Sequence, residues 1–135
     1  MKRIFLDTNF IIDMVARPAF SADARKVLLE GRKRKMKFYV SFLSLSNYAY
    51  IDRKEDSKRV KENLSLFCKA FEILANDKKH IESALLLDAK DFEDAIQFTT
   101  ALSGKCDCII TRNKKDFMNF ATIPVFEPKE FLLNL

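Results

Sequence analysis

Glycine and proline are scarce, two and three in 135 residues, which argues against a disordered or loop-dominated chain and for short connections between regular elements. No linker, internal repeat or low-complexity tract is visible. Cysteine is also scarce and odd in number, with no secretory leader ahead of it, which argues against a disulfide framework and for a reducing compartment. The sole histidine, His80, is far in sequence from Cys106 and Cys108, and those two are separated by one residue rather than the two or more of zinc motifs. Zinc is therefore disfavoured, and the two thiols read as core groups. The first twelve residues hold no apolar run near the about 18 that a membrane span needs, and Asp7 interrupts them. A cytoplasmic protein without a membrane partner is the expectation.

What is present points to one compact unit. Thirteen phenylalanines and 48% hydrophobic residues can bury one good core, and the length is too short for two ordinary ones, so residues 1–135 are read as a single domain. The net charge of +5 slightly favours a polyanionic partner. Its densest stretch, "GRKRKMK" at 31–37, has two readings of similar weight: cations at the negative end of a helix dipole, or phosphate contact.

Apolar runs and helical spacings predict strands over 3–6, 38–41, 71–74, 106–110 and 124–126. Between and after them, helices are predicted over 21–34 with Ser21 as N-cap, 43–51, 56–70, 77–87, 91–103 and 128–135. The helix faces assigned to the core carry Tyr48 and Ile51, then Ile81, Ala84, Leu85 and Leu87, then Ala95, Phe98 and Leu102. Strands separated by helices of this length imply βαβ crossovers, hence a mostly parallel sheet covered on both faces. In such sheets ligands gather at the carboxyl ends of the strands.

The run "IFLDTNFIID" places Asp7, Thr8 and Asn9 at that end of the first strand; Thr111, Arg112 and Asn113 sit at that end of the fourth. An Asp there also makes a good helix cap, and the two readings of Asp7 stand side by side. In "DFEDA", Asp91 and Asp94 lie three apart near a helix start, where the dipole welcomes acids. Asp94 shares its stripe with Phe98 and Ala101, so its carboxylate points to the sheet edge rather than to open solvent. "IITRNKKDF" adds Asp116. Acids converging on one edge repel unless protonated or neutralised by a cation, and oxygen-only donors suit magnesium or manganese. Such an ion would acidify water and offset phosphate charge, while Arg112, Lys114 and Lys115 would hold a polyanion.

"FLDTN", "DFEDA" and "IITRNKKDF", in this order and spacing, make the whole chain resemble a PIN domain, most of all the short prokaryotic PIN proteins related to VapC-type toxins. The resemblance implies a three-layer α/β/α sandwich around a central, mostly parallel sheet, and a metal-dependent endoribonuclease leaving 5'-phosphate and 3'-hydroxyl ends. It implies RNA as substrate, a cognate antitoxin that blocks the site in toxin members, and a homodimer. By position, Asp7 resembles the family's first acid and Asp94 its third, both metal ligands. Asp91 and Asp116 are nearby acids for the same ion.

Two positions depart from the pattern. Asn47, in "SFLSLSNYA", stands where the second acid, a glutamate, is usual, and Asn113 stands at the fourth. Thr111 resembles the hydroxyl of that segment, with Asn9, Arg112 and Lys114 beside the substrate. Each missing carboxylate removes a charge from the ion's surroundings, so weaker binding of a single ion is expected rather than a two-metal site; alternatively, Asn47 only orients a ligand or water and the activity survives with little change. A PIN-like module that binds RNA or a partner without cutting is the alternative, carried by Asn47 and Asn113. A phosphatase-like fold would want a second Asp where Asn9 stands.

Overall fold

The computed structural model describes residues 1–54 and 56–135. Among them run β1 (Arg3–Leu6), α1 (Thr8–Ala16), α2 (Pro18–Lys33), β2 (Lys37–Ser41), α3 (Phe42–Ile51) and α4 (Ser57–Ala70). There follow β3 (Glu72–Leu74), α5 (Lys78–Ala84), α6 (Phe92–Ser103), β4 (Cys108–Ile110), a 3-10 turn at Lys114–Phe117, β5 (Val125–Phe126) and α7 (Pro128–Leu133). The strands form one sheet in the order β3-β2-β1-β4-β5, parallel at every pairing.

Burial on both faces explains why these strands read as unbroken apolar runs rather than alternating ones. The pleat sends Ile4 and Leu6 of β1 to one side, with Phe38 and Val40 of β2 and Cys108 and Ile110 of β4. That core is closed by α1, α2, α3, α4 and α7 through Phe10, Val27, Tyr48, Phe67 and Phe131. Phe5, Tyr39 and Ile109 point the other way, against Phe98 and Ala101 of α6 and against Phe117 and Phe120. The result is the expected α/β/α sandwich.

Several boundaries differ from the sequence reading. Residues 8–16 form a helix of their own, for which the sequence reading assigned no element; it buries Phe10, Ile11, Ile12 and Met14 together with Asp13. Helix α2 starts at Pro18 and not at Ser21: Pro occupies the first turn with its preset φ, and the Ser21 hydroxyl donates to Pro18 O inside the helix. Helix α5 stops at Ala84, and Ile81 and Leu85 face outward, as do Ile51 and Leu102. Strand β4 begins at Cys108, because Cys106 N–H bonds back to Ala101 O in the turn that leaves α6. Both buried thiols have pKa values pushed up to about 12, chiefly by burial, so they are inert core groups.

The basic stretch 31–37 closes α2 and opens β2, at the amino end of the strands and so across the sheet from Asp7. Lys33 and Arg34 pair with Glu30 there, at 3.2 and 2.9 Å, which supports the helix-end reading. Gly31 lets this end close down: a Cβ at that position would sit 2.3 Å from Phe38 Cζ.

Candidate active site at the carboxyl edge of the sheet

The winding of the sheet reverses between the parallel strands β1 and β4: from β1 the chain winds out to β2 and β3, and it returns on the other side as β4 and β5. A crevice at the carboxyl ends of such neighbouring strands is where open α/β sheets bind ligands. Asp7 leaves β1 there with its backbone N–H still on Ile110 O at 3.0 Å, so sheet pairing itself aims the carboxylate. Both readings of Asp7 hold at once, for its Oδ1 also caps α1 by accepting Thr8 N–H at 2.9 Å.

Four donors surround this carboxylate. Thr111 Oγ1 donates to Oδ2 at 2.8 Å and Asn9 Nδ2 reaches the same oxygen at 3.4 Å, while Gln97 Nε2 adds a 3.3 Å bond to Oδ1. None of the donors is charged. Burial pushes the Asp7 pKa up, the hydrogen bonds pull against that, and the charge of Asp91 adds to the rise.

The other acids arrive on α6 and the 3-10 turn. Asp91 caps α6 by accepting Glu93 N–H at 2.9 Å. Asp94, one turn in, has its pKa raised to about 7, first by burial and then by the charges of Asp7, Asp91, Asp116 and Glu93. The leading influences on it all push upward, and Asp94 belongs to no salt bridge among the described residues. Asp91, Asp94 and Asp116 line one cleft of about 370 Å³ together with Lys90, Lys115 and Asn119.

The remaining predicted residues divide. Thr111 and Asn9 hold Asp7, and Asn9 Oδ1 also accepts Arg112 N–H at 3.2 Å. Asn113 is exposed, its backbone N–H bonded to Thr111 Oγ1. Arg112 is turned away: its guanidinium grips buried Asp13 at 2.8 and 3.2 Å and lies over the Phe20 ring. Lys114 pairs with Glu130 at 3.0 Å. Asn47 does not join the acids directly; its Nδ2 donates to Glu93 Oε1 at 2.7 Å.

Reasoning from sequence missed Glu93 and the buried polar network behind it. Gln97, fully enclosed, donates to Ser44 Oγ at 2.7 Å and Thr8 Oγ1 at 3.0 Å and accepts from Ser41 Oγ. The signal was available in "SFLSLSN": Ser41, Ser44 and Asn47 recur every third residue, on the face where a core helix should be apolar. Glu93 was hidden beside two aspartates that fitted a first-turn pattern.

The donor set has the chemistry of a hard-cation site. Asp7, Asp91, Glu93, Asp94 and Asp116 offer oxygen alone, and the charges that lift Asp94 come from all four of its neighbours. As the side chains stand, no three of His, Cys, Asp or Glu among the described residues close on a single point. Gripping an ion therefore needs side-chain rotation, for which Asp94 has no hydrogen bond to break.

The family model for the PIN domain matches residues 3–115. The chain belongs to the PIN domain family. No curated protein sequence matches it. Among solved structures, this PIN domain superposes on the VapBC2 structure from Rickettsia felis bound to a promoter DNA fragment, with a TM-score of 0.75 at 16% identity, covering 93% of this chain and 98% of that one. A toxin-antitoxin complex from Klebsiella pneumoniae gives 0.69 at 24% identity over 93% and 97%. VapC20 of Mycobacterium tuberculosis, a toxin that cleaves the sarcin-ricin loop, gives 0.64 at 15% identity over 78% and 86%. At these identities the likeness establishes the shared fold of this PIN domain and VapC-like chains.

Proposed function

We propose that this PIN domain is a metal-dependent endoribonuclease of the VapC toxin type, with Asp7 and Asp94 as its principal metal ligands and Asp91 and Asp116 beside them. The observation that carries the reading is the gathering of five carboxylates at the crevice between β1 and β4, four of which raise the pKa of the fifth, Asp94. Without an ion this arrangement costs stability; magnesium or manganese would offset the repulsion. When bound, such an ion acidifies water and offsets the charge that builds on a phosphodiester under attack.

The chain's own groups have separate tasks. Thr111, Asn9 and Gln97 fix Asp7 with neutral donors, so its charge stays available to an ion. Asp94, raised to about 7, can give up its proton near neutral pH as an ion enters. Lys90 and Lys115 line the same cleft and would meet RNA phosphates there.

An antitoxin partner is supported by the fold shared with toxin-antitoxin complexes. The test is cleavage of a mixed RNA pool with magnesium or manganese, comparing the native chain with Asp94→Asn. Cleavage that needs the ion and disappears in the variant is expected; equal behaviour of the two chains would reject the enzyme. RNA retained without cleavage would favour a binding module.

A further inference from the structure

Glu93 precedes Asp94 on α6, so the two carboxylates leave the helix about 100° apart. Asp94 lines the cleft shared with Asp116, while Glu93 reaches the other way, toward α1 and α3. Its Oε1 accepts Asn47 Nδ2 at 2.7 Å and Thr8 Oγ1 at 3.3 Å, and its Oε2 has no donor among the described residues. A first-turn acid serving only the helix dipole would remain in solvent and need no donor from another helix. Glu93 is instead partly buried beside Asp7 and Asp91, where like charge works against the dipole's benefit.

The two donors are neutral, so they orient the carboxylate without cancelling its charge. This differs from Glu130 and Asp13 in the same chain, whose carboxylates are paired with Lys114 and Arg112. From this contrast we infer that Glu93 is a further ligand of the divalent cation and that Asn47 is the positioning residue that holds it. Asn47 is thereby not a gap in the site: the carboxylate comes from the neighbouring helix and the amide at 47 steadies it. The inference rests on the metal-dependent reading above.

Manganese binding to the full chain, followed by titration calorimetry beside the melting temperature in EDTA, tests it without reference to cleavage. Glu93→Gln should weaken manganese binding by about 10-100-fold while the variant still melts cooperatively in EDTA. The exchange Asn47→Asp with Glu93→Gln moves the carboxylate across the same hydrogen bond and should recover most of that loss, which a merely structural pair would not do. Should Glu93→Gln fail to fold, Asn47→Ala, expected to weaken binding several-fold, decides instead.

Manganese affinity within twofold of native in Glu93→Gln, or in Asn47→Ala if that variant decides, while Asp94→Asn no longer binds, would overturn the ligand role of Glu93 and leave the nuclease reading standing. No recovery in the exchange variant would overturn the role of Asn47. A native chain that binds no manganese would overturn both this inference and the metal-dependent reading.

Discussion

Replacing Asp94 with asparagine should make the metal-free protein more stable at pH 8 and remove its response to manganese. The Asp94 carboxyl stands at about 7 against an ordinary value of 3.8. At about 1.4 kcal/mol for each unit of pH, a fully enclosed group would carry about 4 kcal/mol across that gap. Asp94 is only partly buried, and solvent screening reduces the figure to about 1-2 kcal/mol. The sign follows from linkage: between 3.8 and about 7 the folded chain keeps a proton the unfolded chain has released. The group's contribution is thus full in acid and is lost as pH climbs to about 7. An asparagine escapes that loss, so its advantage should grow from pH 5 to pH 7 and stay level above. For a domain of this size the gain at pH 8 amounts to about 3-8 °C in melting temperature. Thermal unfolding in EDTA at pH 5, 6, 7 and 8 measures it, and repeating the pH 8 scan with manganese should raise only the native chain. Equal stability of the two chains at every pH, or a less stable variant at pH 8, would refute the reasoning.

Manganese affinity should itself rise with pH up to about 7, by as much as tenfold per unit, and level off above, because binding must displace the Asp94 proton; calorimetry showing a flat profile from pH 5.5 to 8 would contradict this. Thr111→Val should cost about 1.5-3 kcal/mol in urea unfolding, since it removes a fully buried hydroxyl donor from the Asp7 carboxylate. An unchanged midpoint would mean Asp7 needs no such support. Arg112→Ala should cost about 2 kcal/mol by leaving buried Asp13 with Arg17 alone. If RNA affinity fell instead and stability did not, the guanidinium would belong to the substrate.

The sheet was legible because parallel strands buried on both faces announce themselves as short apolar runs, and "RIFL" and "KFYVS" lie within a residue of where they were expected. Helix α1 was not legible: Phe10, Ile11 and Ile12 are consecutive apolar residues, and so short a run carries no period that separates helix from buried strand. Ile81, Leu85 and Leu102 keep helical spacing yet face outward, since spacing fixes a face and not what covers it. Within the site, Asp7 and Thr111 could be brought together from topology alone, because both follow neighbouring parallel strands. Arg112 could not be placed, for its partner Asp13 lies on a helix the sequence reading did not assign. Glu93 needed the approach of the first turn of α6 to Asn47 of α3, which is a property of three dimensions.

Asp7 is made well ahead of its donors Gln97 and Thr111, which follow 90 and 104 residues later. At synthesis speeds of about 5-20 residues per second, that interval lasts on the order of 5-20 seconds. A growing chain therefore carries Asp7 through that interval without the groups that fix it. The edge can assemble only once β4 and Thr111 have been made, and products ending before β4 lack the hydroxyl that holds Asp7.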